Sequence, residues 1–238
     1  MKKLMSLALM ALTLASCRPT SLDSSEGLSN LLSIGGLGNP YTQARRVGTF
    51  KRIRLQQGMR LVYEYLPDQT EFKLELTADA NLHRQIMTEV VKDALLIRSV
   101  TSSNIGDASS KVVTVTGPAI EGIQLSGQSE AIIELGEHPK FDLEVLGASK
   151  VTATGTLPEL KLVLSTRSQL VGTDLSVKTL DATLRGSSVG ELKVSDSLSV
   201  DLSDSSTLTY HGDPKITSEK VTGQSNLTKK SLEVLAPE

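Results

Sequence analysis

From residue 46 onward, apolar and polar residues alternate in short runs, the period of β-strands with one face buried. "FKRIRLQ" carries Phe50, Ile53 and Leu55, and "EFKLELTA" puts Phe72, Leu74 and Leu76 on one face. "MRLVYEY" lies between them, and "PDQ" makes the turn into the third run. "ADANLHRQIM" predicts a single helical turn, with Asp79 or Asn81 as its cap. "TEVVKDALLIRSV" predicts a hairpin around Lys92-Asp93, "TSSNIGDASS" a polar loop, and "KVVTVTGPAI" a further strand.

After Pro118 the pattern becomes a repeat. Each apolar run is broken by four small or polar residues, first at Ser126-Gly127-Gln128-Ser129. Aligning on the last residue of each break gives Ser129, Ser149, Ser168, Ser188, Ser206 and Ser225, spaced by 20, 19, 20, 18 and 19 residues. Six and four residues before these serines stand the pairs Ile123/Leu125, Leu143/Val145, Leu162/Leu164, Ala182/Leu184 and Val200/Leu202. Between the members of each pair lie Gln124, Glu144, Val163, Thr183 and Asp201. The paired columns must face inward and the intervening one outward.

A unit of about 19 residues cannot bury its apolar face alone, whereas stacked copies can, which is the logic of a solenoid. The break is the corner at which each coil turns, and small residues suit a crowded corner. The six serines then form a ladder able to bond neighbouring hydroxyls and corner backbone. In the sixth unit Glu219 and Val221 take the paired positions, as expected of a terminal coil that shows a polar face and blunts the open edge. The expected fold is all-β: a β-solenoid preceded by short strands over 46–117.

Composition fits. The 238 residues are 39% apolar with no Trp, three Phe and four Tyr, so the core is aliphatic. Net charge is −2, and −4 once Lys2 and Lys3 are set aside, leaving 23 basic against 27 acidic residues. That excludes an electrostatic case for nucleic acid.

The first sixteen residues, "MKKLMSLALMALTLAS", read as a secretory signal: a basic start, a short apolar stretch, then small residues. Leu14-Ala15-Ser16-Cys17 resembles the bacterial lipoprotein box, and Cys17 is the sole cysteine. The resemblance implies a lipidated Cys17 as mature N-terminus, with the membrane as partner. Arg18 stands where a retention-type Asp would, which by the same resemblance favours the outer membrane, with the domain periplasmic or surface-exposed. The Ser-, Gly- and Pro-rich residues 17–45 read as a flexible tether. The expected organisation is 1–16 signal, 17–45 tether, 46–228 domain (46–117 strands, 118–228 six repeats) and 229–238 tail.

The domain resembles the head GIN domain family of auto-transporter adhesins, abundant in Bacteroidetes-type bacteria. The matching residues are Arg46-Val47 with Phe50 and Ile53, then Ala80-Asn81-Leu82, and Val115-Thr116-Gly117-Pro118. The Leu-Ser-Gly-x-Ser corner at Leu125–Ser129 and Tyr210-His211-Gly212-Asp213-Pro214 complete the match. Corners 164–168 and 202–206 depart from the pattern by lacking Gly. The resemblance implies a right-handed parallel β-helix and adhesion, with no catalytic residues to carry over.

Candidate chemistry is sparse. His83, His138 and His211 show no metal-ligand spacing and read as surface or corner residues. Neither a phosphate loop nor a nucleophile elbow occurs, and no cofactor is implied. Asp196, Asp201 and Asp204 read as a solvated face. Glu144 and Asp201, three coils apart, do not form the carboxylate pair that a polysaccharide-active enzyme needs. Arg167 and Arg185 could form a small basic spot. The candidate binding surface is therefore Gln124, Glu144, Thr183 and Asp201 with Arg167 and Arg185, toward glycans or envelope or host proteins. The reading is a non-enzymatic envelope lipoprotein, an adhesin or binding module. Its alternatives are a polysaccharide-active β-helix enzyme and a purely structural lipoprotein. The sequence carries no signal for an oligomeric state.

Overall fold

A computed structural model describes residues 35–100, 111–136 and 138–231, which belong to one compact unit, Ser33–Glu238. The signal segment, Cys17 and residues 232–238 lie outside the described residues. The described chain is built of strands and turns. In order these are β1 Pro40–Arg45, β2 Arg52–Leu55, β3 Arg60–Tyr65, β4 Lys73–Asp79, β5 Ile86–Val91, β6 Ala94–Ser99, β7 Val112–Gly117 and β8 Gly122–Leu125. They continue as β9 Glu130–Leu135, β10 Phe141–Val145, β11 Lys150–Leu164, β12 Gln169–Leu184, β13 Val189–Leu202, β14 Thr207–His211, β15 Lys215–Val221 and β16 Asn226–Lys230.

From β8 to β16 the chain winds as a β-solenoid of about five turns. One parallel ladder runs before the corners, pairing Ile123 with Leu143, Leu143 with Leu162, Leu162 with Ala182, and Ala182 with Val200. A second ladder runs after them, pairing Ala131 with Val151, Val151 with Leu170, Leu170 with Gly190, and Gly190 with Leu208. The register in space is the one the repeat predicts. The ten residues of the paired apolar columns, from Ile123 to Leu202, are 2% exposed or less. Each buried aliphatic side chain contributes roughly 1.5–3 kcal/mol, and the stack adds these coil by coil.

The N-terminal strands do more than abut the repeats. β2 lies parallel between β6 and β8, and β3 parallel between β7 and β9. The first coil written in the sequence is thus threaded between the coil β6–β7 and the first repeat. Its corner holds Met59, 2% exposed, at the serine position, since Arg60 pairs with Glu130. The division at residue 117 is therefore one of sequence and not of structure. β4 pairs antiparallel with β7, β1 with β4, and β5 with β6 through the expected Lys92-Asp93 hairpin.

Four expectations change. The tether ends before residue 45, because Pro40–Arg45 is a strand held to β4 by backbone pairing. No helix forms at the expected single helical turn: residues 80–85 are a run of turns, in which the N–H groups of Leu82 and Gln85 donate hydrogen bonds to the carbonyls of Asp79 and Leu82. His83 and His138 are buried at 6% and 1% exposure and not on the surface. The last strand runs to Lys230, past the expected boundary at 228. In the terminal coil all seven residues of β15 are exposed, Glu219 among them, and among the described residues β15 pairs only with β13.

Candidate functional site

The corners fix how the outward faces are presented. At the five corners that end at Ser129, Ser149, Ser168, Ser188 and Ser206 two consecutive residues are left-handed: Gly127/Gln128, Gly147/Ala148, Thr166/Arg167, Gly186/Ser187 and Asp204/Ser205, with φ between 58° and 70°, whereas the last corner has only Gly223, at 68°. The two corners without Gly thus keep the same geometry. The second residue of each pair donates its N–H to the first residue of the next: Gln128 to Gly147 (2.8 Å), Ala148 to Thr166 (2.7 Å), Arg167 to Gly186 (2.7 Å) and Ser187 to Asp204 (2.9 Å). The stacking is close enough that a Cβ at Gly186 would lie 3.0 Å from the Thr166 nitrogen. A β-branched Thr in this region is strained, and cross-coil bonding holds it there.

The corner serines at 129, 149, 168, 188 and 206 are at most 1% exposed. Their hydroxyls donate to the carbonyl three residues back, at 2.8 Å for Ser129 and 2.6 Å for Ser149 and Ser188. Ser168 and Ser206 bond Ser165 and Ser203 in the same way. Vertical links run from amide to hydroxyl: Ser129 N donates to Ser149 Oγ at 3.1 Å, and Ser206 N to Ser225 Oγ at 3.2 Å. Each hydroxyl that does both satisfies two groups that a solvent-shielded corner would leave unpaired.

On the pre-corner face, Arg54, Gln124, Glu144, Val163, Thr183, Asp201 and Lys220 follow one another in register as a single outward column. Gln124 Nε2 donates to Glu144 Oε2 at 2.6 Å. Asp201 Oδ2 lies 3.3 Å from Lys220 Nζ and 3.9 Å from Arg185 Nη2. Arg185 therefore has an acidic neighbour, and no uniform basic spot forms with Arg167 at the corner. The column divides into a Gln124/Glu144 end and a Thr183/Asp201 end, separated by Val163.

The first end borders a depression of about 270 Å³ whose floor is Gly122. A Cβ there would sit 2.5 Å from the Asp142 carbonyl oxygen, so only Gly fits. Arg52 Nη2 bridges to Asp142 Oδ2 at 2.9 Å across the floor, and Arg54, Gln124, Glu144 and Lys161 stand around it. Asp142 Oδ1 is shielded from solvent without a hydrogen-bond partner. Sequence reasoning missed Arg52, Arg54, Asp142 and Lys161. The arginines reach this site only because β2 is threaded beside β8.

After the corners, β3 and β9 place Glu64 beside Glu134 in register. This carboxylate pairing also follows from the threading and not from the repeat. Both are exposed on a flat sheet, without the burial that would separate an acid from a base. No cluster of three or more His, Cys, Asp or Glu suited to a metal occurs among the described residues.

The buried histidines are structural. His83 Nε2 faces the carbonyls of Tyr41 and Ala78, both at 3.0 Å, and its ring stacks on Tyr41. His138 packs edge-on against Phe141, with Nδ1 donating to the Gly136 carbonyl at 3.2 Å. Burial pulls its imidazole below the ordinary value, partly opposed by that bond. Burial likewise pushes the Tyr63 phenol up, and its hydroxyl donates to the Pro118 carbonyl at 2.9 Å. Glu191 is held below the usual carboxylate range, chiefly by the hydrogen bond from His211.

Similar folds are known. The chain matches a "putative adhesin" from Bacteroides fragilis with a TM-score of 0.64 and 17% identity, over 84% of this chain and 97% of that one. A "putative lipid binding protein" from Parabacteroides distasonis matches with a TM-score of 0.52 and 15% identity, over 83% and 99%. A "putative adhesin" from Parabacteroides merdae gives 0.51 and 14%, over 83% and 99%. At these identities the likeness is one of fold. No curated protein sequence matches the chain. The sequence profile of the family described as "Putative auto-transporter adhesin, head GIN domain" matches residues 49–214. With its corners, its coils and that profile taken together, the chain belongs to the head GIN domain family.

Proposed function

We propose that this protein is an exported envelope lipoprotein, anchored through Cys17 in the outer membrane, that acts by surface contact and not by catalysis. The observation that carries the reading is the outward column Arg54–Gln124–Glu144–Val163–Thr183–Asp201, held flat and in register by the buried columns on either side of it. Solenoids use such extended faces for binding. The family description as an adhesin supports the same reading, as do the adhesin names of structural neighbours. Among the described residues no helix is long and apolar enough to cross a membrane; the attachment in this reading is the lipid on Cys17. A shallow polar face binds weakly one copy at a time, and display of many copies on a membrane raises avidity without new contacts.

The test compares the mature chain carrying Cys17→Ser as a monomer with the same chain clustered on beads. The panel is envelope polysaccharides, host glycans and matrix proteins. Binding that is much stronger in the clustered form is the expected result. Release of new reducing ends or unsaturated products from any polysaccharide overturns the non-catalytic reading. An absence of binding even when clustered points to a purely structural lipoprotein.

A further inference from the structure

We propose that the Gly122 depression is a binding site for one uncharged, hydroxyl-rich sugar unit of a glycan. The proposal rests on the contact function argued above and assigns it a place and a ligand class. Three observations converge. The first is the floor. Gly122 lies in register between Arg52 and Asp142, buried beneath their ion pair, so these two strands pack closely and the rim side chains alone enclose the depression. A volume of about 270 Å³ suits a single small ring and not an extended chain.

The second is the alternation of donors and acceptors around the rim. Arg52, Arg54 and Lys161 offer only donors, Asp142 and Glu144 only acceptors, and Gln124 offers both. Four of the planar groups are already fixed in two pairs, through the Arg52–Asp142 bridge and the Gln124–Glu144 hydrogen bond. Fixed groups lose little freedom when a ligand arrives. Each hydroxyl of a sugar both donates and accepts, so adjacent hydroxyls can meet an alternating rim without leaving a group unpaired. A simple anion would satisfy Arg54 and Lys161 but face Asp142 and Glu144. A simple cation would meet the reverse difficulty.

The third is a pair of unpaired donors. Arg54 and Lys161 form no ion pair within 4.0 Å among the described residues, so both remain available to a ligand oxygen.

The experiment uses the mature chain carrying Cys17→Ser, labelled with nitrogen-15, and follows backbone amides by NMR. The probes are methyl glycosides of glucose, galactose, mannose and fucose, with inorganic phosphate and diglycine as competing chemistries. The expected result is that at least one glycoside shifts amides at residues 52–54, 122–124, 142–144 and 161, and saturates. Arg54→Ala and Glu144→Gln should each weaken it by about tenfold, the loss of a hydrogen bond to a charged group. Arg185→Ala, at the other end of the face, should leave it unchanged. Shifts by phosphate or diglycine that match or exceed the best glycoside overturn the sugar assignment. No shift in this region with any glycoside overturns the site. If glycans bind the clustered chain but the shifts fall elsewhere on the face, this site is wrong and the contact function stands. If clustered chains bind no glycan and no protein, both readings fall.

Discussion

The backbone amide of Ser129 donates to the hydroxyl of Ser149, 3.1 Å away on the next coil. That hydroxyl in turn donates to the Leu146 carbonyl at 2.6 Å. One side chain thus closes its own corner and ties it to the coil before. Ser149→Ala should leave a shielded amide and a shielded carbonyl without their partner, at a cost of about 1–3 kcal/mol. Urea unfolding checks this. A change below about 0.5 kcal/mol, the size of an ordinary surface substitution, would show that the ladder carries no stability.

Thr166 and Gly186 occupy the same place on adjacent corners, with φ of 58° and 65°. Asn tolerates this conformation better than a β-branched residue does. Thr166→Asn should therefore raise stability, by about 0.5–1 kcal/mol. Gly186→Val should lower it, because its Cβ meets the Thr166 backbone. Thermal melts of the two variants should move in opposite directions.

Val145 is fully buried while Glu144 lies next to it in the outward column. Val145→Asp places an unpaired charge inside the stack and should cost several kcal/mol, on the order of a domain's whole stability. Glu144→Lys should cost about 0.5 kcal/mol or less. Equal losses of melting temperature would contradict the inward and outward assignment.

His138 is held neutral by burial, so its folded-state value lies below the unfolded one. The unfolded chain then binds the extra proton first as pH falls. Stability should be complete above the unfolded value of about 6.5 and decline as pH falls through it toward the lowered folded value. His138→Leu should flatten the melting temperature between pH 7 and 5 relative to the parent. An unchanged slope would mean that another group governs this window.

Cys17→Ala should release the exported protein from the membrane fraction, because a single thiol is the only attachment proposed. Retention in the pellet at the parental level would remove the lipoprotein reading. The measurement is a blot of soluble and membrane fractions.

The repeat region was legible in the sequence. Alternation with period two and self-similarity over about 19 residues are local signals. They place Leu143, Val145, Leu162 and Leu164 inward, and Ser149 and Ser168 at corners, because each coil meets its own copies in one register. The strand Pro40–Arg45 was not legible, because it has no apolar face and is held by backbone pairing with β4, which leaves no mark on side-chain pattern. The threading of β2 and β3 was not legible either. Parallel neighbours are chosen by packing between segments far apart in the chain, and any aliphatic coil could stack on any other. Only the tertiary structure brings Arg52 and Arg54 beside Gly122 and Gln124, and Glu64 beside Glu134. The sequence by itself determined the coil, its corners and its inward columns. The depression at Gly122 was decided by folding alone, because its two walls come from strands about 70 residues apart that meet only in the stacked sheet.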